Sequence, residues 1–144
     1  MVKVYIINKT KDKKIEQLKG RIKKILVKGV EILKIKKDLE INVIFVDMAE
    51  IKKQNQEYFK KNLPTDVISL KSETPIPGSR LLGDIIICPK QAAKNAQKLN
   101  HSLKKEIQIL VLHGLLHLTG LNHEKPEDLP KWQKIFKNLE KIVE

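Results

Sequence analysis

The chain has few of the residues that form disulfides, stacking surfaces or rigid anion clamps. Of its 144 residues one is cysteine, 4% are aromatic, and Arg21 and Arg80 are the only arginines. A single cysteine excludes an internal disulfide, and Cys88 is predicted to be a buried strand-end thiol. The scarce aromatic residues offer no evident platform for stacking bases. No apolar stretch approaches the roughly 20 residues of a membrane span, so we expect no membrane partner.

Positive charge is abundant, and nearly all of it comes from lysine. The 29 basic and 17 acidic residues give a net charge of +12. Lysine-based charge favours a diffuse attraction for a polyanion over bidentate recognition of bases. A Lys-, Glu- and Ile-rich composition also occurs in heat-adapted proteins, which is an alternative source of the charge. Met1 leads directly into a strand-like run without a secretion signal, so we expect a cytoplasmic protein.

Three of the four histidines lie within eleven residues, at the spacing of metal ligands. His113 and His117 are four residues apart, so on a helix both can reach one ion. Gly120 allows the helix to end in a sharp turn that returns His123 toward the other two. Three imidazoles leave one tetrahedral position open, which is typical of a catalytic zinc. The sequence therefore predicts one Zn²⁺ per chain, with His101 outside the site as a surface residue.

The same segment resembles a zinc-protease helix except at one position. In that helix the residue after the first histidine is a glutamate that acts as general base. Here the position is Gly114, which argues against peptide hydrolysis. Two explanations of the glycine remain open: close packing against a neighbouring element, or room beside the metal for a bulky substrate.

Apolar periodicity predicts a single domain over residues 1–144 with an α+β fold. We expect a small mixed sheet of about four strands covered by helices, with a buried central helix carrying the metal ligands. Strands are predicted at 2–7, 39–46, 67–70 and 85–88. Helices are predicted at 13–33, at 48 to about 61, and from residue 89 onward except for the turn around 120–126. Within this last region Ser102 is the N-cap of the helix that carries the histidines, and a final helix covers about 129–143. Residues 71–80 are predicted to form a loop near the site.

Several segments, taken together with the histidines, resemble the YbeY family of bacterial zinc-dependent endoribonucleases. They are Asn55–Tyr58, Pro64–Ser69, Leu82–Ile85 and His113–His123. The resemblance extends from about residue 40 to the end of the chain. It implies a zinc-dependent, single-strand-specific endoribonuclease that acts in maturation of small-subunit ribosomal RNA and in ribosome quality control. The implied partners are ribosomal RNA and the ribosome or its small subunit.

The chain departs from that family at three places. Family members usually have arginine where this chain has Phe59, phenylalanine in place of Leu70, and Tyr-Asp in place of residues 121–122. Lys60 and Lys61 follow the missing arginine and are candidates for contacting RNA, as point charges and not planar forks.

No general base can be assigned from sequence. Asp84 and Glu124 are candidates for the catalytic acid or base, whereas Asp66 is interpreted as a turn residue. Whether water or the RNA 2′-hydroxyl attacks stays open. Two alternatives to the nuclease are kept: a zinc peptidase or other metallohydrolase, and a ribosome-associated zinc protein without catalysis.

Overall fold

One four-stranded sheet organises the fold of this computed structural model, which describes residues 1–35, 37–72, 80–121 and 123–144. The strands are β1 (Val2–Asn8), β2 (Leu39–Phe45), β3 (Val67–Lys71) and β4 (Leu81–Ile87). Their order is β1-β2-β4-β3. The pairs β1–β2 and β2–β4 are parallel, and β3 runs antiparallel to β4. The sheet is therefore mixed, with β1 and β3 at opposite edges.

Five helices are found among the described residues, and they cover the sheet unequally. They are α1 (Lys13–Ile32), α2 (Met48–Phe59), α3 (Pro89–Leu99), α4 (Leu103–Leu118) and α5 (Leu129–Glu140). The main core joins one face of the sheet to α1, α4 and α5. A smaller cluster on the other face packs Ile51 of α2 against Ile68 and Ile86. The predicted α+β class and four-stranded mixed sheet are confirmed.

Helix α4 is the buried centre of the domain, as predicted. Its N-cap is Ser102, whose hydroxyl accepts a hydrogen bond from the backbone N–H of Lys105 at 3.1 Å. The side chains that face its neighbours are wholly buried: Ile107, Val111, Leu112 and Leu115. It contacts α1, α3, α5, β3 and β4. A helix buried on nearly every side is a rigid support for any residue that it exposes.

Three predicted boundaries were wrong. Strand β4 begins at Leu81 instead of residue 85, because Gly83 and Asp84 pair with Lys71 and Leu70 of β3. Lys71 consequently ends a strand instead of opening a loop, and residues 73–79 of that predicted loop lie outside the described residues. Helix α2 stops at Phe59 because Lys60 adopts the left-handed conformation with φ of 58°.

The end of the last helix was also misplaced, whereas the burial of the single thiol is confirmed. The last helix ends at Glu140, three residues short of the prediction. Cys88 is fully buried at the end of β4, where it precedes α3. No helix in the described ranges is both long enough and apolar enough to cross a bilayer.

Candidate metal centre

The structure brings His113, His117 and His123 together. His113 and His117 lie one turn apart on α4, and they are among the few partly exposed side chains of that buried helix. Gly120 has φ of 98° and donates its N–H to the carbonyl of His117 at 3.0 Å, which closes the turn. One nitrogen from each ring lies within 4.8 Å of the other two. The three histidines could therefore hold a metal ion.

A wall of aromatic side chains packs against the cluster. Trp132 of α5 is 5% exposed, and its ring centroid lies 5.0, 4.8 and 4.9 Å from those of His113, His117 and His123. Phe136 stacks on Trp132 and also contacts His113. Trp132 was predicted only as a core residue. Its contact with all three imidazoles restricts their rotation and keeps one side of the cluster apolar.

Burial keeps two of the imidazoles neutral. Burial first, and then repulsion from the nearby His117 and His123, together lower the pKa of His113 to about 4. Burial, followed by repulsion from His123, also lowers the pKa of His117, while the negative charge of Glu124 acts in the opposite direction. Neutral imidazole is the form that binds a metal. These two side chains are therefore in the form that could bind a metal at neutral pH.

The lowered pKa of His113 predicts that the metal-free protein loses stability in acid. Between pH 6.5 and about 4 the unfolded chain binds a proton at this position and the folded chain does not. The free energy of unfolding should therefore fall as the pH decreases through this window, by at most about 1.4 kcal/mol per pH unit for this group. Urea denaturation in the presence of a chelator at several pH values measures the slope. The free energy of unfolding of the His113→Asn variant should depend less steeply on pH than that of the wild type. Equal slopes for the two proteins would contradict the prediction.

A space of about 480 Å³, which we call the cleft, opens from the histidines. It runs between the end of α2, strand β3 and α4. Its lining residues are Asn55, Phe59, Lys61, Thr65, Asp66, Val67, Ile68, Ser69, Leu110, His113, His117, His123 and Glu124. The three histidines thus lie in a space large enough for part of a polymeric ligand.

Two of the four further residues predicted for the site line the cleft. Glu124 and Lys61 do so, whereas Lys60 is exposed outside the lining. Among the residues that the structure describes, Asp84 does not line the cleft either. Its carboxylate accepts a hydrogen bond from the side-chain amide of Asn42 at 2.9 Å. In β4 the side chain of Ile85 points toward α4, so that of Asp84 points to the opposite face of the sheet.

Several cleft residues were not predicted as site residues, although they lie in segments that resemble the family. Asp66, interpreted as a turn residue, lines the cleft and accepts a hydrogen bond from the Asn95 side chain at 2.9 Å. Asn55 is 5% exposed, and its amide donates to the carbonyl of Leu63 at 2.9 Å. Ser69 also lines the cleft. These residues come from different elements, so no spacing rule could have grouped them.

Gly114 faces the sheet and not the cleft. A Cβ atom at this position would lie 2.8 Å from Cγ2 of Ile85 and 3.1 Å from Oγ of Ser69. Close packing of α4 on β3 and β4 therefore accounts for the glycine, which resolves the two explanations left open by the sequence. A side chain at residue 114 would have to displace Ile85 and Ser69.

His101 is less exposed than predicted. Its side chain is 16% exposed, and Nε2 lies 3.5 Å from a carboxylate oxygen of the buried Glu106. It lies directly before the N-cap of α4 and does not line the cleft, and so takes no part in the histidine cluster.

Comparison with known proteins yields one family. The family model described as Endoribonuclease YbeY matches residues 5–144. A protein of that name from Aquifex aeolicus (strain VF5) is 38% identical over 106 residues, which cover 74% of this chain and 69% of that protein. One from Bacillus cereus (strain ATCC 10987 / NRS 248) is 38% identical over 131 residues, covering 85% of this chain and 83% of that protein.

A solved structure is also similar to this chain. The solution structure of TM1509 from Thermotoga maritima superposes with a TM-score of 0.60 at 29% identity. The match covers 94% of this chain and 88% of that one.

Proposed function

This chain belongs to the YbeY endoribonuclease family, and from that premise we propose a zinc-dependent, single-strand-specific endoribonuclease. We propose further that it acts in the cytoplasm on small-subunit ribosomal RNA, in its maturation and in ribosome quality control. Family membership supports the choice of RNA as the substrate. The observation that carries metal dependence is the histidine cluster, which lies in a cleft that also contains Lys61 and Glu124. Single-strand specificity and the ribosomal substrate rest on the resemblance to the family.

The donor set fits zinc. His113, His117 and His123 would hold the ion through imidazole nitrogens, and burial keeps the first two in the neutral form that binding requires. Three protein ligands leave a coordination position for water or substrate, whereas structural zinc sites are closed by four. The chemistry that zinc supplies when bound is Lewis acidity toward a phosphate oxygen or a water molecule.

Glu124 is the carboxylate that we assign to proton movement. It lines the cleft, and its negative charge raises the pKa of His117 against the effect of burial. A carboxylate in that position can accept a proton from the attacking hydroxyl or orient it. Asp84 receives no such role, because its side chain lies on the other face of the sheet with Asn42.

Lys61 is the cation that we assign to the phosphate backbone. It lines the cleft just beyond the end of α2, whereas Lys60 projects into solvent outside the lining. A lysine in this position lowers the electrostatic cost of bringing a phosphodiester next to Glu124. We therefore expect Lys61 to contribute more than Lys60 to RNA binding.

The experiment that tests the proposal compares substrates. A single-stranded fragment of small-subunit ribosomal RNA should be cut slowly by the zinc-loaded protein, because Phe59 replaces the arginine that is usual in the family. Cleavage should cease with a chelator and return with zinc, and a duplex of the same sequence should resist. Elemental analysis should find about one zinc per chain, as a single three-histidine site implies.

An unstructured peptide is the matched control substrate. The peptide should survive, because Gly114 supplies no general base at the position where zinc proteases have glutamate. Zinc-dependent peptide cleavage would favour the peptidase. Full zinc occupancy without any RNA cleavage would instead favour a ribosome-associated zinc protein that does not catalyse.

A further inference from the structure

Two adjacent aromatic rings lie exposed at the rim of the cleft. Tyr58 and Phe59 are the last two residues of α2, and they are 53% and 47% exposed. Leaving large apolar surface in water costs roughly 25 cal/mol per Å². The left-handed conformation of Lys60 ends the helix directly after them, so no following turn covers the rings. Exposed aromatic residues in such a position are typical of a binding surface.

Phe59 connects two spaces on the surface. It lines the cleft, and it also lines a neighbouring pocket of about 470 Å³ together with Tyr58, Ser69, Leu70 and Lys71. We call this second space the side pocket. Phe59 and Ser69 line both spaces, so the two are contiguous. An extended ligand in the side pocket would pass over Phe59 on its way to the histidines.

Positive charge flanks the rings on both sides. Lys61 lines the cleft and Lys71 lines the side pocket. The ammonium nitrogen of Lys71 lies 3.8 Å from where a Cβ of Gly120 would be, so it sits over the turn that joins His117 to His123. Alternating cations and aromatic faces suit a strand that carries a phosphate and a flat base at each step.

We propose that Tyr58 and Phe59 form a stacking platform for bases of single-stranded RNA that enters the cleft through the side pocket. The inference rests on the proposed function and deepens it, because it identifies residues that select the form of the substrate. In a duplex each base face is already covered by its neighbours, so the rings have nothing to stack on. Lys71 and Lys61 would hold the phosphates on either side of the stacked bases.

The test distinguishes the contribution of the bases to binding affinity from that of the phosphates. Binding of the zinc-loaded protein to a short labelled RNA is compared with binding to an abasic ribose-phosphate strand of equal length and charge. Fluorescence anisotropy gives both affinities, and gels verify that the RNA stays intact during the reading. Stacking is worth about five- to 150-fold in affinity per base, so wild type should prefer the strand that carries bases by at least that lower factor.

Variants assign the preference to the rings. Tyr58→Leu combined with Phe59→Leu should lower the preference by at least about fivefold and leave the abasic affinity unchanged. Phe59→Trp should keep or increase it. Lys71→Ala should weaken both strands by equal factors, since it removes charge and no stacking surface. Tyr5→Leu is the matched control, because Tyr5 is 47% exposed on β1 at the far edge of the sheet.

Two outcomes would overturn the inference, and they have different consequences for the proposed nuclease function. An unchanged preference in the Tyr58→Leu/Phe59→Leu variant, with RNA cleavage intact, would remove the platform but leave the nuclease. That result would also be expected if the rings instead received an extended peptide beside edge strand β3. Wild-type protein that carries zinc but neither binds nor cuts single-stranded RNA would overturn the platform and the proposed function together.

Discussion

His117→Ala should lose both the bound metal and RNA cleavage. The substitution leaves two imidazoles in a site whose three nitrogens lie within 4.8 Å of one another, and removes a ligand that burial keeps neutral. The Lewis acidity of a bound ion is worth several kcal/mol of transition-state stabilisation, so cleavage should fall by roughly a thousandfold or more. Zinc content should fall from about one equivalent to near zero on dialysis.

The fluorescence of Trp132 offers a direct measurement of the loss of metal binding. It is the only tryptophan, and its ring centroid lies within 5.0 Å of all three imidazole centroids. Its fluorescence should change on addition of zinc to the metal-free wild type and remain unchanged in His117→Ala. This titration reports metal binding independently of activity.

The chain offers a matched control for that substitution. His101→Ala removes the histidine that lies outside the cluster, and it should keep zinc and cleavage. Cys88→Ser should likewise keep the metal, because Cys88 is fully buried outside the cleft. Full zinc occupancy in His117→Ala would refute the site. Undiminished cleavage after metal loss would show that the nuclease reaction does not use the ion.

Gly114→Glu should destabilise the fold without creating a peptidase. The added Cβ would lie 2.8 Å from Ile85, and the carboxylate would be forced against the buried face of the sheet. Overpacking and an unpaired buried charge together should lower the free energy of unfolding by more than about 3 kcal/mol. Urea denaturation and an unstructured-peptide assay measure the two effects.

Gly20→Ala is the glycine control for this experiment. A Cβ at Gly20, on the exposed side of α1, meets nothing within 4 Å. Alanine there should raise the free energy of unfolding by about 0.5–1 kcal/mol, the usual difference between the two residues in a helix. A Gly114→Glu protein of wild-type stability that cleaves peptide with zinc would overturn both the packing argument and the choice of nuclease.

The histidine cluster was predictable because its geometry is local. His113 and His117 share a helix face by the four-residue period, and Gly120 supplies the one backbone conformation that returns His123. The central position of α4 followed from apolar residues on more than one side. Such predictions use only residues that are close together along the chain, so a single sequence without relatives is sufficient for them.

The error at β4 had a long-range cause. The strand was predicted to begin at residue 85, after Gly83 and Asp84, but Gly83 pairs with Lys71 of β3 and has no space for a side chain beside the carbonyl of Leu70. Once residues 81–87 are a strand, the two-residue period places Asp84 opposite Ile85, away from α4. The position of the Asp84 side chain outside the cleft lining therefore depends on pairing between strands, which local pattern does not reveal.

The residues that surround the histidines could not be predicted as neighbours of the cluster for the same reason. Asn55, Asp66 and Ser69 reach the cleft from a helix, a turn and a strand, and Trp132 reaches the imidazoles from α5. The exposed rings of Tyr58 and Phe59 were also missed, because the sequence does not show that α2 stops directly after them. Each of these facts depends on packing between elements.

The compactness of the ligand segment along the chain has a thermodynamic consequence. All three histidines fall within eleven residues, so closing the chelate in a disordered chain requires only a short loop and little entropy. The denatured ensemble therefore retains some affinity for the ion. A ligand that binds both ensembles stabilises the native one only by the difference between the two affinities. The ion should thus raise the melting temperature less than its native-state affinity suggests.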